Sequence, residues 1–311
     1  MLKFLLKRIG YMIITLWVVI TVTFMLMHSI PGDPLASEAK NLPPQVKKNF
    51  YATYGLDKPP IEQYKIYLKN IVTEGDLGES IKFPGRSVKD TIKNRFPISG
   101  KLGIQAIALG FIMGSILGII ASFNRNKWPD YIVMFVALIG VSIPNFVFAA
   151  LLQWLFTVKF QILPTTGWGG FKYTILPTLA LSLSSLAMYA RYMRNNCLDV
   201  INQDYILTAK AKGVSKFALA WKHIIRNAIL PAVTVLGPQI AGIMVGSFVI
   251  ESIFGIPGLG DYFVSSINNR DFTMIMGLTI FIASLYMISL IIVDLLYALI
   301  DPRIRITGEE K

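Results

Sequence analysis

Six stretches of this chain contain no Asp, Glu, Lys or Arg: residues 9–32, 102–124, 131–158, 173–190, 227–250 and 272–293. A helix needs roughly 20 apolar residues to cross a hydrocarbon core about 30 Å thick, and all six stretches approach or exceed that length. Of the 311 residues, 54% are hydrophobic and 15% charged, against about a quarter charged in an ordinary soluble domain. The partition excludes a soluble globular enzyme, a disordered chain and a secreted disulfide scaffold; the single cysteine, Cys197, agrees on the last. The chain reads as an all-α polytopic membrane protein with six transmembrane helices.

The first stretch follows Lys3, Lys7 and Arg8, as in a secretory signal. It is longer than a signal's apolar region of about 7–15 residues and ends in His28, Pro31, Gly32 and Asp33, so it reads as an uncleaved anchor. Six spans put both termini on one side. Segments 1–8, 125–130, 191–226 and 294–311 carry 15 Lys and Arg, whereas the short loops 159–172 and 251–271 carry 3. Positive charge marks the cytoplasmic side of short loops, and long translocated segments are exempt. Both termini and the 191–226 loop are therefore expected inside, with residues 33–101 outside. The net charge of +12 follows from this arrangement in membrane lipid and requires no nucleic acid.

The expected organisation is a tail and anchor span at 1–32, an external cap at 33–101, a core at 102–303 containing the cytoplasmic loop 191–227, and a cytoplasmic tail at 304–311. Gly110, Gly114 and Gly118 in the second span, and Gly242 and Gly246 in the fifth, repeat every four residues and expose backbone for close helix packing. Pro144 and Pro238 should kink or locally open spans three and five. In the cap, Ile61, Tyr64, Leu68, Ile71 and Val72 share one helical face, and Ser87 with Asp90 has the pattern of a helix start.

No span contains a charge. Carriers coupled to protons commonly place ionisable groups in the bilayer, which counts against a stand-alone secondary carrier. Glu251 and Asp294 border spans five and six, where a headgroup position is the ordinary expectation. His28 and His223 have no His or Cys at ligand spacing, so neither a metal site nor acid–base catalysis is expected. There is no phosphate-binding Gly-x-x-x-x-Gly-Lys-Ser/Thr loop, so any ATPase is another polypeptide. Asn145, Gln153 and Gln239 either line a pathway or join helices by hydrogen bonds.

The 191–227 loop is not a linker. It lacks proline, and Gly213 is its one glycine. Residues 204–212 read as a short helix with Asp204 near its start. Gly213 supplies a sharp turn. Beyond it Val214, Phe217, Ala218, Trp221, Ile224 and Ile225 form an apolar stripe at helical spacing. Such a stripe suits the inner membrane surface. A corner of small residues feeding into spans four and five suits docking to a soluble partner.

The segment from Asp204 to Pro231 resembles the Glu-Ala-Ala loop of ABC importer permeases, specifically the oligopeptide/dipeptide branch and the first permease of its pair. Further matches are Ile30-Pro31-Gly32-Asp33-Pro34, Tyr54-Gly55-Leu56-Asp57-Lys58-Pro59, Gly75-Asp76-Leu77-Gly78, Ser142-Ile143-Pro144-Asn145-Phe146 and Ile175-Leu176-Pro177-Thr178. They continue with Gly246–Glu251, Gly255-Ile256-Pro257-Gly258-Leu259-Gly260 and Asp294–Arg303. Leu207-Thr208-Ala209 stands where the general motif begins Glu-Ala-Ala, so a role for that Glu is not carried over.

The resemblance implies a type I (MetI-like) permease fold in a bacterial inner membrane, multi-pass, with a small external helical cap. It implies a heterodimer with a second homologous permease subunit, two ABC ATPase subunits that use ATP and Mg, and an extracytoplasmic peptide-binding lipoprotein. The chain itself would hold no cofactor and catalyse nothing. Asp204, Tyr205, Thr208, Ala209, Ala211, Gly213, Val214 and Phe217 would dock the ATPase. Glu251, Gly255, Pro257 and Gly258 would shape an outer gate or form a plain interhelical turn. The expected cargo is an oligopeptide, with dipeptides, glutathione or nickel and other metal chelates as alternatives within the family.

Overall fold

Each charge-free stretch is helical through most of its described length, because an apolar segment must satisfy its own backbone amides. The computed structural model describes residues 2–29, 43–53, 55–244 and 247–300. The motif at 30–34, Tyr54, Gly246 and residues 301–311 lie outside the described residues. The helices are α1 (Leu2–Ser29), α2 (Pro44–Thr53), α3 (Pro60–Glu74), α4 (Val88–Phe123), α5 (Trp128–Ser142), α6 (Asn145–Gln153) and α7 (Phe171–Ile201). They continue with α8 (Asp204–Ala211), α9 (Lys216–Ala218), α10 (Arg226–Met244), α11 (Phe248–Phe254), α12 (Leu259–Asn268) and α13 (Phe272–Ile300). Two π-helical segments, Trp154–Lys159 and Leu219–Ile225, prolong α6 and join α9 to α10.

Among the described residues four helices are long and apolar enough to cross a membrane: Leu6–Ser29, Val88–Phe123, Phe171–Ile201 and Phe272–Ile292. The pair Trp128–Ser142 and Asn145–Lys159, bent by 104°, makes a fifth if it is one span. The bend is local chemistry. Pro144 has no N–H to continue the ladder, and it forces Ile143 into extended backbone (φ −88, ψ 123). The fifth charge-free stretch is shared between α10, which runs through Pro238, and α11.

The chain divides into two units, residues 1–98 with 258–288 and residues 99–257 with 289–311. In the first, α3 is held to the anchor helix α1 through Thr21 and Tyr64, whose hydroxyls lie 2.6 Å apart, and through His28 and Gln63 at 3.0 Å. The face of α3 that turns inward carries Tyr64, Tyr67, Leu68 and Ile71, while Ile61 and Val72, expected on it, are exposed. Ser87 caps α4 by accepting the Asp90 amide at 3.0 Å, and the helix then runs without a break past residue 101 into the second apolar stretch. The Gly75–Gly78 motif becomes intelligible here. Gly75 ends α3 in left-handed backbone, Leu77 packs beside Val88, Leu259 and Met274, and a Cβ on Gly78 would stand 2.6 Å from Thr273. Asp271 caps α13, accepting from Ser80 Oγ and from the amides of Ile81 and Met274 at 3.3 Å. Burial pushes its carboxyl above the usual carboxylate range, against the pull of those hydrogen bonds.

The second unit is assembled on α7. A Cβ on Gly110 would meet Ser185 Cβ at 2.7 Å, one on Gly114 would meet the Leu186 carbonyl at 2.6 Å, and one on Gly118 would collide with the Ala190 carbonyl. From α5, Gly140 makes the same approach to Ala187 Cβ at 2.8 Å. The glycine ladder of the second span thus packs on the fourth. Gly242 of α10, by contrast, has nothing within 4 Å of where its Cβ would be. At the other end of α7, Arg194 grips Asp130 at the start of α5 with two bonds, 2.5 and 2.7 Å, and the Asn126 amide donates to the same carboxylate at 3.0 Å.

Replacing Gly114 by Ala is expected to destabilise the protein by about 1–3 kcal/mol, because the backbone carbonyl it meets cannot yield as a side chain can. Thermal unfolding in detergent should show a lowered midpoint for Gly114→Ala and an unchanged one for Gly10→Ala, where the added methyl meets nothing within 4 Å.

Candidate functional site

The corner between α8 and α9 is held by its own backbone. After α8, Gly213 adopts φ +76, a left-handed conformation that costs a glycine little. Its N–H donates to the Lys210 carbonyl at 3.0 Å and the Val214 N–H donates to Ala209 at 3.2 Å, the paired bonds that close a helix C-terminus. Two residues later the Ser215 hydroxyl accepts the Ala218 amide at 3.3 Å and starts α9. The turn therefore stops one helix and caps the next within a few residues.

Ile206 nails this corner down. It is fully buried in a cluster with Tyr189, Met193 and Cys197 of α7, Leu219 and Ile224 of the π segment, and Ala228 and Ala232 of α10. Ala209 and Val214, expected at the docking surface, are half-buried and pack against this same cluster. Asp204, Tyr205, Thr208, Ala211, Gly213 and Phe217 are exposed, so six of the eight expected residues share the open side of the corner. Tyr205 is steadied from α10, accepting from Asn227 Nδ2 at 3.2 Å.

The stripe expected after Gly213 does not form. Leu219 and Ile224 turn inward, whereas Phe217 is 74% and Trp221 57% exposed. The cause is the π-helix at Leu219–Ile225, whose hydrogen bonds span five residues and bring positions five apart onto one face. A stripe laid out at 3.6-residue spacing is thereby split between two faces. Phe217 and Trp221 stand together in the open, ring centroids 6.2 Å apart.

The polar residues expected along a pathway fall into two groups. Asn145 Oδ1 accepts from Ser184 Oγ at 2.7 Å, and Gln239 Nε2 reaches Met188 Sδ at 3.3 Å, one turn further along the same side of α7. Gln239 Oε1 is buried with no hydrogen-bond partner among the described residues. Gln153 instead binds the carbonyls of Thr165 at 2.9 Å and Ile253 at 3.0 Å, tying the loop before α7 to α11. Glu251 is fully buried within the protein, with Ser99 Oγ donating to it at 2.7 Å. Gly255 ends α11 by the same pair of backbone bonds seen at Gly213, with the Ile256 amide on the Glu251 carbonyl at 2.8 Å. Pro257 is exposed, and Gly258, buried, precedes α12. The side chain of Asp294 lies outside the described residues. Among the described residues no three His, Cys, Asp or Glu side chains converge as metal ligands would.

Residues 114–306 match the family described as binding-protein-dependent transport system inner membrane component, and residues 1–103 match its N-terminal companion. The chain belongs to this family. A dipeptide transport system permease protein of Bacillus subtilis, DppB, is 47% identical over 98% of this chain and 99% of its own length. Oligopeptide transport system permease proteins, OppB, of Haemophilus influenzae and Escherichia coli are each 43% identical over 98% of this chain and 100% of theirs. In fold, the chain is similar to an amino acid ABC transporter crystallised with histidines, with a TM-score of 0.53 and 19% identity over 70% of this chain and 95% of that one. This family member is a multi-pass membrane permease rather than an enzyme.

Sequence spacing did not disclose Ile206, Leu219 or the Asp130–Arg194 pair. Shortening Ile206 to Ala should cost about 2–5 kcal/mol of local packing. Amide exchange across 204–217 should accelerate by an order of magnitude or more, while Tyr205→Phe, which keeps the buried cluster intact, leaves it near the wild-type rate.

Proposed function

We propose that the chain is one permease subunit of an ATP-driven peptide importer. It contributes half of the translocation pathway through six spans, α5–α6 serving as the third and α10–α11 as the fifth. Both termini and the 204–217 corner face the cytoplasm, as the distribution of Lys and Arg supports. The observation that carries the reading is end-to-end similarity, at 43–47% identity, to permeases named for dipeptide and oligopeptide transport. The partners are a second, homologous permease, two cytoplasmic ATPases that bind ATP and Mg, and an external peptide-binding lipoprotein.

In this reading Asp204, Tyr205, Thr208, Ala211, Gly213 and Phe217 meet a groove of the ATPase, while Ala209 and Val214 hold the corner to its own helices. Closure of the ATPases pushes the corner, and α7 and α10, on which Ile206 is seated, move with it. Asn145 and Gln239 face the cargo route, a lightly polar wall suited to peptides of varied sequence, with selection left to the binding protein. Glu251, Gly255, Pro257 and Gly258 form the outer gate region. Relatives named for dipeptide transport, at 47% and 39% identity, make dipeptides the second reading of the cargo.

Mild solubilisation of the tagged chain should recover a sister permease and two ATPases. Exchanging residues 209–214 for a flexible Gly-Ser segment should abolish ATPase recovery while membrane insertion persists; partners that stay bound, with uptake intact, would refute the docking assignment. Uptake of labelled di- and tetrapeptides into whole cells tests the gate. Glu251→Gln and Gly258→Ala are each expected to lower it several-fold, and wild-type uptake in both would remove the gate role.

A further inference from the structure

Beside the corner, the second unit contains a groove of about 610 Å³, of whose lining the docking reading uses Phe217 alone. Its apolar wall is made by Phe123 at the end of α4, Ile201 at the end of α7, and Phe217 and Leu219 on either side of the π-helix boundary. Lys210 and Lys216 line it as well, and no Asp or Glu does. The volume lies within the range of small-ligand sites, about 300–1,000 Å³.

Two facts identify what belongs there. At Ser122 and Phe123 the charge-free stretch of α4 gives way to Arg125 and Lys127, so this side of the groove lies at the depth of lipid headgroups. Its chemistry is also divided as a phospholipid's is, with an apolar wall facing acyl carbons and two ammonium groups facing a phosphate. Lysine suits this position because its methylene stem lies along apolar surface while its charge reaches the headgroup. We propose that this groove binds one anionic phospholipid, its phosphate between Lys210 and Lys216. The lipid would fill the space beside the π segment and brace the corner from the membrane side. The binding rests on groove chemistry alone and stands apart from the identity of the cargo.

The test is native mass spectrometry of the full-length chain with the subunits that accompany it, delipidated and titrated with phosphatidylglycerol or phosphatidylcholine. Phosphatidylglycerol should be retained about tenfold or more in preference, from roughly 1 kcal/mol for each lysine near the headgroup. The double variant Lys210→Gln/Lys216→Gln should lose that preference with an unchanged melting temperature. Lys222→Gln, on the same basic segment but outside the groove lining, should keep it. A photoactivatable phosphatidylglycerol should crosslink within 210–224. Equal retention of the two lipids, an unaltered double variant, or equal loss in Lys222→Gln would overturn the proposal. So would a double variant that sheds its ATPases while holding lipid, since the groove would then be a protein contact. Loss of ATPase recovery in the wild-type chain bears on the docking reading and leaves the lipid measurement intact.

Discussion

The backbone-to-backbone approach of α4 and α5 to α7 is the constraint on which the second unit depends. Glycines at 110, 114, 118 and 140 bring two helices close enough that a methyl group has no room. In a bilayer, apolar side chains gain little by leaving lipid for one another, so close packing and hydrogen bonds must supply the association. α7 becomes the shared post of the unit. Asn145 and Gln239 approach it midway, and the corner hangs from its far end through Ile206.

The corner shows how rigidity is built from small parts. A buried Ile, a left-handed Gly213 and a Ser215 cap fix a turn that exposes short side chains and one aromatic pair. Its precision comes from backbone hydrogen bonds, not from long charged side chains. That suits the docking role proposed for it, because a backbone-closed turn deforms less than a set of flexible side chains. The turn at Gly255 is closed by the same device, so two separate turns of the unit share one solution to reversing a chain.

Much of this was legible in the sequence, for identifiable reasons. Absence of charge is a strong signal, and it located the four long apolar helices and the bent pair. The Gly110–Gly114–Gly118 spacing foretold a tight helix pair because a four-residue period survives unchanged in an α-helix. Gly213 marked the turn because few other residues fit one. The failures occurred where the helix departs from 3.6 residues per turn or where distant residues meet. The π-helix at Leu219–Ile225 turned Leu219, which lay off the expected stripe, inward together with Ile224 and left Trp221 exposed. Ile61 and Val72, at the edges of the expected stripe on α3, fell outside a narrower buried face. Asp130 and Arg194 are 64 residues apart, and no spacing in the sequence pairs them. Gln153 was as consistent with a pathway as with the two carbonyls it binds, and the Ser99–Glu251 bond was hidden because the two residues are 152 apart.

The Asp130–Arg194 bridge has a mechanical consequence. One hydrogen bond fixes a separation, but two side-by-side bonds from a planar guanidinium fix an orientation too. Near its C-terminal end, α7 therefore cannot swivel about its own axis without dragging α5 along. A push on the neighbouring corner, as the proposed docking would deliver, would emerge as rocking of the coupled pair, so the bridge acts as a keyway that selects tilt over torsion.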